Sequence, residues 1–135
     1  MTQKTETEPL ALLEDLIARA RATGADAADA VMFASASLAA SCRLGKIEDI
    51  ERSESDDVGL RVMVGQRQAM VSTTDLTPAS LNQLAERATA MARTAPEDPY
   101  CGLADASLLA RAPWPDLDLY DSADVTPEAL EDAAL

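Results

Sequence analysis

The stretch GLRVMVGQRQAMVSTTDLTP, residues 59–78, decides how this chain folds. Val58, Leu60, Val62 and Val64 alternate with Gly59, Arg61 and Met63, the period of a strand that buries one face. Gly65-Gln66 supplies a reversal, and Ala69 to Thr73 return as the partner strand. Leu76-Thr77-Pro78 then joins a hydrophobic residue, a hydroxyl N-cap and a proline at the first helical position, with Leu81 placed to staple onto Leu76. The expectation is a hairpin handed to a helix. That helix continues through Leu84, Ala85, Ala88 and Met91 and ends before TAPEDPYCG, whose two prolines and glycine forbid its continuation.

Upstream, Leu10, Leu13, Leu16, Ile17 and Ala20 recur at helical spacing, Asp15 stands four residues before Arg19, and Gly24 offers a left-handed stop. This predicts an amphipathic helix from Pro9, preceded by a polar, frayed segment over residues 1–8. DAVMFASASL, residues 29–38, reads as a strand, and ASCRLGKIEDIERSES continues the alternation with a change of phase at Gly45-Lys46. A bulge and a two-residue turn with glycine first each account for that change, since a one-residue slip exchanges the faces of a strand.

Downstream, APWPDLDLYDSAD is rich in proline and aspartate, with Trp114, Leu117 and Leu119 as apolar pegs, the composition of an irregular arm lying over a domain. Val125-Thr126-Pro127 with Leu130 then repeats the helix-start device of Leu76-Thr77-Pro78 with Leu81. A third helix begins there, and the sequence runs only about two turns into it. A helix so short has nowhere evident to bury its face, which leads us to expect the front part of something longer.

The bulk numbers exclude whole classes. At 135 residues one domain is the default, large enough to hold a core without metal or disulfides. Aromatics are 3% against 47% hydrophobic residues, so the core must be aliphatic. A formal charge of −13 repels phosphate backbones and anionic membranes. No apolar run is long enough to span a bilayer, no secretory segment opens the chain, and Cys42 and Cys101 stand far apart, which suggests a cytoplasmic protein with free thiols.

Local chemistry is sparse. The chain has no histidine, which removes the commonest metal ligand, the usual general base and every Ser-His or Cys-His pair. Ser72 to Asp75 read as a strand end entering a helix cap rather than a nucleophile cluster. Asp116, Asp118 and Asp121 fail as a calcium loop, because Asp121 and Pro127 occupy the sixth and twelfth positions, where glycine and glutamate are needed. Gly59, Gly65 and Gly102 form no phosphate loop. The acidic run Glu48, Asp49, Glu51, Glu54, Asp56 and Asp57 is a solvated strand edge protected by charge, a cation site or a face for a partner. No catalytic, metal or cofactor-binding residue emerges.

GKIEDIERSESDDVGLRVMVGQRQAMVSTTDLTP resembles the N-terminal domain of the TldD/PmbA family, the proteins once called modulators of DNA gyrase. APEDPYCGLADASLLARAPWPDLDLYD is similar to the PmbA/TldE branch in particular, and the two segments extend the resemblance over residues 10–131. Ala69 departs from it, where many relatives carry glycine after the hairpin turn. The resemblance implies a peptidase heterodimer acting on unfolded or leader peptides. Its zinc is held by a His-Glu-x-x-x-His motif in the C-terminal domain of a TldD-type subunit, and the PmbA/TldE subunit lacks the metal. Neither motif nor domain is present here, so the resemblance implies a non-catalytic scaffold, part of a subunit interface or a chamber wall.

The expectation is therefore an α+β fold: two long helices on one face of a mainly antiparallel sheet over residues 9–112, then a Pro/Asp-rich arm and the start of a third helix over residues 113–135. Leu13, Ile17, Val31, Phe33, Leu60, Val62, Leu84 and Met91 are expected inside. The strand carrying Arg43, Lys46, Glu48 and Glu51 is the expected edge for a partner or an extended peptide. That partner is a TldD-like subunit or a second copy acting through a parent protein, with no nucleic acid or membrane involved. The alternative is a stand-alone acidic protein-interaction module with a gyrase-related or nucleic-acid-mimic role.

Overall fold

A computed structural model describes residues 9–113, 115–119, 121–123 and 125–135. The expected frayed segment at residues 1–8 and the peg at Trp114 lie outside the described residues. The order of elements is helix α1 (Pro9–Ala22), strands β1 (Ala27–Arg43), β2 (Lys46–Val64) and β3 (Arg67–Thr73), helix α2 (Pro78–Thr94), a single 3-10 turn (Ala106–Leu108) and helix α3 (Pro127–Ala134). The strands form one sheet in the order β1-β2-β3. β2 and β3 pair antiparallel from Val58 opposite Thr73 to Val64 opposite Arg67. The class is α+β, as expected.

Contacts divide the chain into two units, residues up to Ala34 with Asp56–Leu103, and Ser35–Ser55 with Ala104–Leu135. In the first unit, Val58, Leu60, Val62 and Val71 meet Leu16 and Ala20 of α1 and Leu81, Leu84, Ala85, Ala88 and Ala92 of α2 in one core. The buried positions of α2 recur at three and four residues, the stripe that a helix lays on a sheet. Thr77 caps α2 by accepting a hydrogen bond from the Ser80 amide, with Pro78 at the first helical position, and Leu76 packs against the same core that buries Leu81. α1 and α2 are bridged by polar contacts as well. The Thr23 and Thr89 hydroxyls lie 2.7 Å apart, and Arg93 donates to the Thr23 carbonyl at 2.8 Å. Gly24 ends α1 at φ +97°, where a Cβ would stand 2.5 Å from that Arg93 guanidinium.

Three expected core residues are not inside. Val31 is 46%, Phe33 65% and Met91 46% exposed, whereas Leu60, Val62 and Leu84 are buried and Leu13 and Ile17 half-buried. On β1 both alternating faces are apolar, so periodicity alone leaves the choice of face open. The helices take the side lined by Ala28, Ala30 and Met32, where small side chains allow close approach, and Val31 and Phe33 turn the other way. On α2, Ala88, Thr89 and Ala92 occupy the sheet-facing stripe, and Met91 falls beside it.

The second unit holds the C-terminal part of β1, the N-terminal part of β2 and residues 104–135. The strands are joined by a two-residue turn at Leu44-Gly45, with φ +52° and +72°, so glycine stands second in the turn and not first. Arg43 consequently closes β1 while Lys46, Glu48 and Glu51 lie on β2, not on one continuous strand. Leu117 and Leu119 are exposed rather than pegged into a core. α3 has the expected Thr126 cap and Pro127 start, and its Leu130 is half-buried.

Candidate functional site: the outer sheet face and the hairpin tip

The face of the first unit's sheet turned away from the helices is built from the other parity of the same strands. Asp29 and Val31 of β1, Gly59 and Arg61 of β2 and Met70 of β3 border an open cleft of 290 Å³ there, with Ala30. Gly59 lets the strands' side chains close in, since a Cβ at that position would stand 3.3 Å from Val31 Cγ1. Arg61 grips Asp29 with two parallel bonds, Nε to Oδ1 at 3.0 Å and Nη2 to Oδ2 at 2.5 Å. The hydrogen bond that Arg61 donates to Asp29 raises the Arg61 pKa, against a smaller opposing effect of burial. With Phe33 and Met70 (69% exposed) beside it, this is an apolar surface around one neutralised ion pair.

In the second unit, Arg43, Leu44, Lys46, Ile47 and Glu48 border a shallow depression at the hairpin tip. Arg43 and Glu48, anticipated as edge residues, approach to 3.5 Å with both side chains more than half exposed. Lys46 and Glu51 are exposed as well, but Glu51 does not join this group. Leu44 at 94% exposure was not anticipated. Its signal was the Leu44-Gly45 dipeptide, hidden because Gly45-Lys46 reads equally well as the turn.

Neither place assembles metal ligands. Among the described residues no group of three or more His, Cys, Asp or Glu side chains could hold an ion, and the sequence supplies no histidine. The donor set of the described residues does not fit a zinc site. Cys42 and Cys101 are free and half-buried. No helix of the described chain is long and apolar enough to cross a membrane. The described fold is an α+β domain whose first unit carries an open cleft on the outer sheet face.

Comparison with known proteins says which α+β domain. Residues 28–92 match the model of PmbA/TldA metallopeptidase domain 1. The chain is 36% identical over 110 residues to the metalloprotease PmbA of Escherichia coli O157:H7, covering 81% of this chain and 24% of that protein. It is 36% identical over 98 residues to a metalloprotease PmbA homolog of Haemophilus influenzae, covering 73% and 22%. A candidate modulator of DNA gyrase from Bacteroides thetaiotaomicron shares the fold at a TM-score of 0.75 and 23% identity, over 82% of this chain and 25% of that one. TldE from Thermococcus kodakarensis shares it at 0.65 and 18%, over 83% and 25%. The chain belongs to the TldD/PmbA family, and it spans about a quarter of the length of the curated relatives it matches.

Proposed function

We propose that this chain is the non-catalytic N-terminal domain of a PmbA/TldE-like subunit, acting in a TldD/TldE-type metallopeptidase complex on unfolded or leader peptides in the cytoplasm. The observation that carries the reading is the 36% identity to PmbA over most of this chain, and the lack of histidine in the sequence supports the non-metal role. The two long helices hold one side of the sheet, and the Pro/Asp-rich arm leads on from it. The zinc belongs to a TldD-type partner, and this domain supplies scaffold, subunit interface or chamber wall. Its share of the interface is the charged edge at Arg43, Lys46, Glu48 and Glu51.

The test combines the purified chain with a zinc-loaded TldD-type subunit. Alone, the chain should retain no stoichiometric zinc after dialysis and cleave neither casein nor unstructured peptides. Mixed, it should co-elute with the subunit, and reversing Glu48 and Glu51 to lysine should weaken that co-elution while leaving the melting temperature nearly unchanged, because exposed charges contribute about 1 kcal/mol or less to folding. One zinc per chain, cleavage by the chain alone, or no co-elution would sink the reading.

A further inference from the structure

In the second unit the sheet is down to two strands. β3 pairs with β2 only from Val58 to Val64, so among the described residues β1 and β2 form a two-stranded ribbon between Ser35 and Ser55, with β1 at the edge of the sheet. Its side chains bury little. From Ser35 to Cys42 only Leu38, Ala40 and Cys42 are half-buried, and from Lys46 to Ser55 only Ile47. A two-stranded ribbon is marginal in water, and a further strand or a covering layer is what makes such a pair stable. The two strands of this ribbon differ in how their edges are guarded. Six of the ten residues from Lys46 to Ser55 are charged, the ordinary protection of an edge against another chain. The eight from Ser35 to Cys42 include no charge, no proline and no glycine, so the outward backbone groups of β1 have no such guard.

We infer that β1 of one copy pairs antiparallel with β1 of a second copy along Ser35–Ser41, joining two ribbons into one four-stranded sheet. The occupant is a second copy because antiparallel pairing of a strand with itself is isologous: a two-fold axis closes it at two chains, and a neutral strand meets no like charge in its copy. Pairing through β2 would instead bring a strand dominated by Glu48, Asp49, Glu51 and Glu54 against itself. Pairing of β1 with the β2 of another copy would be head-to-tail and would run on without closing. An axis through Leu38 sets the one large apolar side chain of this stretch beside its copy, and Ser37 opposite Ala39. The contact leaves Arg43 and the charged residues of β2 free, so it stands or falls independently of the subunit interface proposed above.

Sedimentation equilibrium of the chain alone tests this, apart from any peptidase or co-elution assay. The wild-type chain should show a monomer–dimer equilibrium with no larger species. Ser37 and Ala39 are both exposed, so substitutions there should leave the fold intact. Ser37→Lys combined with Ala39→Lys places like charges opposite each other at two symmetric points. It should weaken the dimer by roughly 10-fold, although it lowers the net negative charge of the chain. Ser37→Lys combined with Ala39→Glu places opposite charges at the same two points and should restore the dimer. A wild-type chain that stays monomeric up to about 1 mM overturns the inference and leaves the edge to a strand of another protein. So does association as strong with the lysine pair as with the lysine–glutamate pair, since a contact elsewhere on the chain would not tell the two apart in this direction.

Discussion

Thr77 and Asp75 show how much of α2 depends on two side chains ahead of it. Thr77 accepts from the Ser80 amide, and the Thr77 amide in turn donates to Asp75 Oδ1 at 3.0 Å. Thr77→Ala should lower the unfolding free energy by about 1 kcal/mol, the usual cost of a lost cap, read by urea denaturation. The bond from the Thr77 backbone, with further help from the Thr77 hydroxyl, holds the Asp75 carboxyl below its ordinary 3.8. A carboxylate whose folded pKa is depressed stabilises fully above its unfolded value and loses that contribution as pH falls through the lower folded one. Melting temperature should therefore fall below about pH 4, and Asp75→Asn should flatten that part of the slope. An identical acid limb in the variant would assign the loss to other carboxylates.

Among the elements, β2 carries the largest contrast, since its two faces have opposite duties. Leu60 is fully buried between the helices, and Leu60→Ala should cost about 2–5 kcal/mol. Phe33, on the far face of the neighbouring β1, is the larger side chain, yet Phe33→Ser should cost only about 1 kcal/mol or less, because it removes little buried area. Chemical denaturation of the two variants side by side checks the assignment of faces. If Phe33→Ser is the more damaging, the outer face is covered in the folded chain. Reading strands and helices from pattern succeeded where one parity was apolar, as in Val58 to Val64 against β3. It failed on β1, where alanines and large apolar residues alternate and pattern cannot say which parity a helix will choose.

The whole molecule is acidic, with its described ligand-type side chains scattered rather than gathered. Its stability should be indifferent to metal. Dialysis against a chelator should leave the melting temperature unchanged, whereas a domain folded around zinc would unfold. A clear drop would mean that residues from several parts of the chain hold an ion after all.

Elements, their order and the family were legible in the sequence, because caps such as Leu76-Thr77-Pro78, the Gly65 reversal and the alternation of Val58, Leu60 and Val62 act over a few residues and need no distant partner to be recognised. The absence of histidine was equally plain. Only the tertiary structure decided which side of β1 the helices cover, that Arg61 and Asp29 meet across 32 residues, and that Val31, Gly59 and Met70 from three strands share one cleft. It also moved the turn to Leu44-Gly45, leaving a leucine bare at the tip. Those features depend on which surfaces meet, and on competition among packings of nearly equal hydrophobicity, and local pattern carries no information about either.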